Sequence, residues 1–156
     1  MNGSIPEEAR YELKFVSPPF EFDRLLTWIR LNSACFHRSF DDRVVNNIYF
    51  DNLEYLSYYE NLDGVTPRKK VRVRWYGDLN GSIKEPVLEI KKKSGIAGKK
   101  EAHALPAFTF KNFFSGNKIL YPFNNATSNK SFEKELILLD PTLINRYCRK
   151  YYLSAD

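Results

Sequence analysis

The residues best suited to chemistry lie in a short basic segment near the middle of the chain. The segment Lys70–Tyr76 alternates strictly, so in a β-strand Lys70, Arg72 and Arg74 all lie on one face, opposite the apolar residues. Arginine offers a planar fork that matches phosphate oxygens, and lysine offers a mobile point charge. A strand that carries both suits a triphosphate or polyphosphate better than a single carboxylate.

A second segment predicts a partner strand for the first. Pro86–Lys93 also alternates, and the Asn-Gly pair inside Gly77–Gly81 is typical of a hairpin turn. We therefore expect the two strands to pair antiparallel. Like charges placed directly opposite each other destabilise a strand pair by up to about 1 kcal/mol, which favours a bound counter-anion. The surface that they share is expected to hold Arg72, Arg74, Glu89 and Lys91.

The basic character of the chain is local. The 156 residues carry a net charge of +5, but the 33 residues of Arg68–Lys100 carry +8 and the other 123 carry −3. Charge alone fits two interpretations equally well, a solvated lysine-rich face or a surface that binds a polyanion. The hydrophobic content of 43% and the aromatic content of 15% indicate one globular domain over residues 1–156.

Other residue types argue against several classes of protein. No stretch approaches the roughly 18 apolar residues of a membrane span, and the first residues lack the features of a secretory signal. Cys35 and Cys148 lie 113 positions apart, without the spacing of a zinc site or a disulfide framework. His37 and His103 are the only histidines, and neither has the spacing of a catalytic triad. A reducing, cytoplasmic location fits this composition best.

Two elements are predicted in the N-terminal part of the chain. Arg10–Phe15 alternates like the basic segment, which predicts a strand with Glu12 and Lys14 on its polar face. Phe20–Leu31 has apolar residues at helical spacing, which predicts an amphipathic helix that covers an apolar sheet face.

Further elements follow on both sides of the basic segment. Val44–Phe50 is rich in β-branched and aromatic residues and predicts a strand, with Asp51 as the N-cap of a short helix. Ser94–Lys100 is interpreted as a basic hairpin or loop. The phenylalanines of Phe108–Phe114 recur at a spacing that a helix could use, and Leu143–Tyr152 predicts a strand.

Strands with a charged face on one side and an apolar face on the other indicate an unusual sheet. The pattern is explained if an antiparallel sheet closes into a β-barrel with a charged interior and with helices packed outside, an α+β fold. The turn-like composition of Ser154–Asp156, directly after a strand, suggests that the barrel's C-terminal strands are missing and that the chain is a fragment.

Taken in order, these segments resemble the VTC domain, the catalytic module of the vacuolar transporter chaperone and of related bacterial polyphosphate polymerases. That domain is similar to the CYTH-type triphosphatases, which share its triphosphate tunnel. Each motif alone is weak, but the ordered set is fairly specific. The segments that carry the resemblance are Arg10–Phe15, Val45–Asp51, Tyr59–Gly64, Arg68–Gly77, Leu88–Gly95 and Arg146–Arg149.

The resemblance implies a polyphosphate polymerase, which transfers the terminal phosphoryl group of a nucleoside triphosphate to a polyphosphate chain inside a basic tunnel. It implies that Arg72, Arg74 and Lys91 act on the reacting phosphates. It also implies Mn²⁺ or Mg²⁺ as the cofactor, held by a glutamate. Further phosphate contacts are implied for Lys14, Arg68, Lys99, Lys100, Tyr147 and Arg149.

The chain departs from the family pattern in two ways. Asn61 stands where relatives commonly carry a basic residue. The strands that would bring a further arginine and the metal-binding glutamate lie beyond the end of the chain. Glu12 and Glu89 are the remaining candidates for a metal site, because hard divalent cations prefer carboxylate oxygens. The alternative, favoured for each, is that they pair with Lys14 and Lys91.

Three other functions stay open. The chain could be a binding module for polyphosphate or a phosphorylated ligand, or a triphosphate hydrolase of the same superfamily. Hydrolysis is disfavoured because Arg10 stands where triphosphatases carry the first glutamate of their Glu-x-Glu-x-Lys motif. Nucleic-acid binding is the least favoured, since Trp75 alternates to the face opposite the arginines and no RNA-recognition motif is present. The sequence predicts no oligomeric state, and a membrane tether could only lie outside this chain.

Overall fold

The computed structural model describes residues 13–95, 97–110, 136 and 138–155. The chain divides into two compact units. One contains the residues up to Phe40 together with those from Tyr151 onward, and the other is Asp41–Lys150. None of the helices in the described ranges combines the length and hydropathy that a membrane-spanning helix requires.

Two helices and seven strands are described. The helices are α1 (Phe22–Arg30), which follows a 3₁₀ turn at Pro19–Glu21, and α2 (Leu56–Leu62). The strands are β1 (His37–Asp51), β2 (Arg68–Tyr76), β3 (Ser82–Ile83), β4 (Val87–Ser94), β5 (Ala97–Ala104), β6 (Phe108–Thr109) and β7 (Asp140–Leu153).

The main sheet has five strands in the order β5-β4-β2-β1-β7, and β3 pairs with β6 in a separate ribbon. β2 pairs antiparallel with both β1 and β4, and β4 pairs antiparallel with β5. The predicted pairing of the two basic strands is therefore confirmed, with Arg72 opposite Glu89 and Lys70 opposite Lys91. The fold is α+β and mostly antiparallel. In the described part of the chain the sheet is open, with edges at β5 and β7, rather than a closed barrel.

One face of this sheet, the apolar face, forms the core. Its side chains pack against the β3–β6 ribbon and against Leu136, and the ring of Trp75 meets those of Phe108 and Phe110 in an edge-to-face and a tilted contact. Burial of each large apolar side chain contributes about 1.5–3 kcal/mol. The buried sheet residues of this core are Ile48, Phe50, Val71, Val73, Trp75, Leu88 and Ile90. The other face, the basic face, is thereby left to the charged residues.

Helix α2 is held at its N-terminus by the end of β1. Asp51 was predicted as the N-cap residue, but Tyr55 occupies that position. The buried Asp51 carboxylate nevertheless binds backbone N–H groups of the first turn. Its two oxygens accept hydrogen bonds from the backbone N–H groups of Ser57 and Tyr58, both at 2.9 Å. These bonds satisfy donors that the first turn of a helix leaves free. Gly64, at φ +72°, follows the end of the helix.

Three local predictions are wrong or only partly confirmed. Residues 13–15 of the predicted strand Arg10–Phe15 are irregular and exposed, and residues 10–12 lie outside the described residues. Helix α1 forms where expected, but it has no buried residue, so it gives no support to the covering role predicted for its apolar face. Phe108–Thr109 is a strand and not a helix, because it pairs with Ser82–Ile83, and Phe113 and Phe114 lie outside the described residues.

Candidate functional site

The basic face has a buried carboxylate at its centre. The Glu89 residue is only 3% exposed, and three cations surround its carboxylate. The Arg72 Nε and Nη2 atoms lie 2.8 and 2.6 Å from Oε2. Oε1 binds Nη2 of Arg74 and lies 2.9 Å from Nζ of Lys100. A single negative charge therefore holds two guanidinium groups and one ammonium group together.

The register of three neighbouring strands produces this cluster. Arg72 lies directly opposite Glu89, and Arg74 follows two residues later on the same face. On β5, the residue opposite Glu89 is the small Ala102, and Lys100 lies two positions away. Diagonal neighbours of this kind are within reach of long side chains. Lys100 can therefore reach the carboxylate across Ala102.

Aromatic side chains on β1 and β2 support the arginines from the other side. Nη1 of Arg72 donates to the hydroxyl of Tyr49 at 3.1 Å, and its guanidinium lies 5.9 Å from the centre of that ring. The guanidinium of Arg74 lies 5.6 Å from the ring of Tyr76. Within the described residues, the buried Nε of Arg74 has no hydrogen-bond partner. The arginines are thus oriented, and one of them retains an unused donor.

The charges of this cluster shift its pKa values in the directions expected for an ion pair. Burial alone raises the pKa of Glu89, but hydrogen bonds from Lys100 and Arg72, and the charges of Arg72 and Arg74, lower it below its ordinary value. Burial alone lowers the pKa of Arg72, while its bonds to Glu89 and Tyr49 raise it above its ordinary value. The folded state therefore favours the ionised form of both groups.

This shift predicts a specific acid sensitivity. Because the pKa of Glu89 is lower in the folded state, the carboxylate contributes stability above its ordinary value of 4.5. That contribution is lost as the pH falls through the lower, folded-state value. We expect the unfolding free energy to decrease below about pH 5 less steeply in Glu89→Gln than in the wild type. Urea unfolding followed by circular dichroism at a series of pH values measures the unfolding free energy of both proteins. If this free energy falls equally steeply with decreasing pH in both, the prediction is wrong.

A row of three lysines lies beside the Glu89 cluster on the basic face. Lys70 is opposite Lys91, and Lys91 is opposite Lys100. We call these residues the lysine row. The row contains Lys91 and Lys100, which were predicted to bind phosphate, together with Lys70. It lies beside the two arginines. An anion with several charges would be stabilised over this row, since like charges in register repel one another.

Lys99 is separated from this group. Because side chains alternate along β5, Lys99 lies on the face opposite Lys100, in register with Lys92. There it forms a 3.2 Å ion pair with Glu101. Lys99 and Arg68 line a cavity of about 680 Å³ at the end of the strands. The two lysines that the sequence could not distinguish are thus on different faces.

The other predicted contacts are spread over the chain. Tyr147 and Arg149 lie on β7, two and four residues beyond Asn145, whose side-chain oxygen accepts a 2.8 Å hydrogen bond from Asn47. Asn47 is opposite Arg74, so alternation places Tyr147 and Arg149 on the basic face. Lys14 lies in the irregular segment before α1, in the other unit. Glu12 lies outside the described residues.

The described residues do not fit a divalent metal ion on Glu89. Both of its carboxylate oxygens already bind cationic side chains, and its partners are Arg72, Arg74 and Lys100 rather than the expected Lys91. In the parts of the chain that the structure covers, no group of three histidine, cysteine or carboxylate side chains is placed to hold a metal. A carboxylate among three positive charges is a poor ligand for another cation.

Sequence reasoning missed Tyr49 and Asn47 as members of this site. Both lie in the predicted strand Val44–Phe50, at alternate positions, and each lies opposite one of the two arginines. The polar alternation within that segment was the signal that could have identified them.

A family comparison agrees with this geometry. No curated protein matches the chain at a significant level of similarity. The family model described as "VTC domain" matches residues 9–156, nearly the whole sequence. This family is associated with polyphosphate and with polyphosphate transferase activity. With its paired basic strands and a model match of this extent, the chain belongs to the VTC domain family.

Proposed function

We propose that this chain is a polyphosphate polymerase domain, which extends a polyphosphate chain with the terminal phosphoryl group of a nucleoside triphosphate. The observation that carries the proposal is the cluster in which Glu89 holds Arg72 and Arg74 side by side. Pre-oriented guanidinium groups match the oxygens of a phosphate without having to be ordered on binding. The lysine row beside them supplies charge for the neighbouring phosphates.

The chemistry proposed requires positioning more than a covalent nucleophile. A terminal oxygen of the polyphosphate attacks the γ-phosphorus of the nucleotide, the bond from that phosphorus to the β,γ-bridging oxygen breaks, and the nucleoside diphosphate leaves with that oxygen. No oxidation or reduction occurs. Arg72, Arg74 and Lys91 are proposed to neutralise the charge on the transferred group, which is the main requirement of phosphoryl transfer.

The tunnel is also part of the proposal. We propose that the five-stranded sheet is part of a barrel that closes around the basic face, since an open sheet would leave this charged face to water. Family membership supports this proposal. The cofactor, Mn²⁺ or Mg²⁺, is proposed to bind elsewhere than at Glu89, whose oxygens are occupied by cations.

The direct test is synthesis of polyphosphate. The chain is incubated with ATP, short-chain polyphosphate and Mn²⁺, and the products are separated by gel electrophoresis, with Arg72→Ala/Arg74→Ala as the control. Longer chains formed only by the wild type support the proposal. Release of phosphate from tripolyphosphate without elongation supports a hydrolase instead. Saturable binding without turnover supports a binding module.

The two neighbouring lysines of β5 provide a matched pair. We expect Lys100→Gln to weaken tripolyphosphate binding several-fold, because Lys100 belongs to the basic face, in contact with Glu89. A fully buried charge-assisted contact contributes about 1.5–3 kcal/mol, but the Lys100 side chain is 54% exposed, so water screens part of this contribution. Lys99→Gln removes the same charge from the opposite face and should change the affinity little. Isothermal titration calorimetry measures both, and equal losses would show that only net charge matters.

A further inference from the structure

A second feature of the basic face is a cavity of about 560 Å³ between α2, β1, β2 and β7. We call it the tyrosine cavity, because four of its lining residues are Tyr49, Tyr55, Tyr58 and Tyr59. Its size lies within the range of small-molecule sites, about 300–1,000 Å³. All of its lining residues belong to the unit Asp41–Lys150.

The two tyrosines of helix α2 and the tyrosine at its N-cap position are not part of the core. Tyr55, Tyr58 and Tyr59 are 51%, 58% and 53% exposed. The rings of Tyr58 and Tyr59 meet edge to face, with 5.3 Å between their centres. Half-exposed rings beside a cavity are suited to receive a flat aromatic ligand, because base–aromatic stacking contributes about 1–3 kcal/mol per base.

The tyrosine cavity adjoins the residues proposed to bind phosphate. Tyr49 lines the cavity, and its hydroxyl accepts the hydrogen bond from Arg72. Lys70 lines the cavity and is also the first member of the lysine row. A ligand with an aromatic ring at one end and phosphates at the other would therefore contact both sets of residues. A nucleoside triphosphate has this form.

Three further lining residues of the cavity offer polar groups that suit the edge of a heterocyclic base. Asn61 is exposed on α2, and its amide offers both a donor and an acceptor. On β7, the Thr142 hydroxyl donates to the backbone oxygen of Tyr49 at 3.3 Å and keeps its capacity to accept. The side-chain oxygen of Asn145 accepts from Asn47, and its amide N–H groups remain as donors. Aromatic faces combined with a few polar groups that can bind the ring edge are the usual means of recognising an unpaired base.

We propose that the tyrosine cavity binds the nucleobase of the phosphoryl donor, with Tyr58 and Tyr59 as the stacking residues. This inference rests on the proposed function, since it takes the phosphates to lie along Arg72 and the lysine row. It assigns to α2 a role in choosing a nucleotide over inorganic tripolyphosphate. The selectivity then comes from the base end of the ligand and not from the phosphates.

The experiment compares two ligands that share three phosphates and differ in the base. Dissociation constants for ATP and for tripolyphosphate are measured by calorimetry on the wild type, Tyr58→Ala/Tyr59→Ala and Tyr58→Phe/Tyr59→Phe. Leu62→Ala is the matched control, since Leu62 lies on the same helix, is 67% exposed and does not line the cavity. Circular dichroism confirms that each variant is folded.

We expect the alanine variant to lose about 5- to 100-fold in ATP affinity and to keep its tripolyphosphate affinity. The phenylalanine variant, which retains both rings, should bind ATP nearly as well as the wild type. Unchanged ATP binding by the alanine variant overturns this inference and leaves the proposed function intact. Failure of the wild type to bind tripolyphosphate overturns the proposed function itself. If the alanine variant is unfolded, loss of ATP selectivity in Tyr58→Leu/Tyr59→Leu decides the question.

Discussion

Replacing both arginines of the Glu89 cluster, in Arg72→Ala/Arg74→Ala, is expected to abolish measurable tripolyphosphate binding. Each charge-assisted hydrogen bond contributes about 1.5–3 kcal/mol, so the loss of one such bond from each arginine corresponds to roughly 10²- to 10⁴-fold in affinity. Calorimetric titration at two salt concentrations measures this. The salt dependence separates a specific site from general attraction to a basic surface, which weakens steeply as salt increases.

The conservative variant Arg72→Lys/Arg74→Lys tests whether geometry or charge is responsible. It keeps both positive charges but removes the planar forks, so we expect an intermediate loss of affinity. The lysine variant also keeps cations beside Glu89, so we expect it to stay folded. It can therefore be tested even if the alanine variant proves unstable. Wild-type affinity in both variants would place the phosphate site elsewhere. Equal or stronger binding of a single-stranded oligonucleotide would favour a nucleic-acid-binding surface.

The second large effect is expected from Glu89→Gln. Removing one partner of a buried ion pair costs about 3–5 kcal/mol, because the other charge is left uncompensated. The side chains of Arg72 and Arg74 are 27% and 19% exposed, so water screens part of this cost. We therefore expect a loss of about 2–3 kcal/mol in the free energy of unfolding at neutral pH. Urea unfolding followed by circular dichroism measures it.

Added tripolyphosphate should restore much of that stability. In Glu89→Gln the two arginines have lost their carboxylate, and a bound phosphate can take its place as the counter-anion, so the ligand should stabilise this variant more than the wild type. Glu101→Gln is the matched control, because Glu101 pairs with the 77% exposed Lys99 and should contribute about 0–1 kcal/mol. Similar destabilisation in both variants, with no recovery on ligand addition, would falsify the role assigned to Glu89.

The amino-acid sequence by itself determined the pairing of the two basic strands. Alternation in Lys70–Tyr76 separates cations from apolar side chains, and a pairing that puts Leu88 and Ile90 on the face of Val71 and Val73 also puts Glu89 and Lys91 on the face of the arginines. A slip of β2 by one residue would turn Arg72 and Arg74 towards the core and Trp75 away from it, at a large cost in free energy. The common surface of Arg72, Arg74, Glu89 and Lys91 followed from this constraint.

The tertiary structure alone decided the partners of Glu89. The sequence favoured Lys91, the cation two residues away on the same strand face, but the carboxylate binds Arg72 and Arg74 across the strand pair and Lys100 from β5. The register of β5 follows from the tight turn after Ser94, where Gly95 adopts a φ of +58°. A shift of one residue in that turn would exchange the faces of Lys99 and Lys100, because side chains alternate along a strand. Which lysine reaches Glu89 thus depends on the geometry of a single turn and on the small side chain of Ala102. The alternation of polar and apolar residues along each strand predicts neither of these.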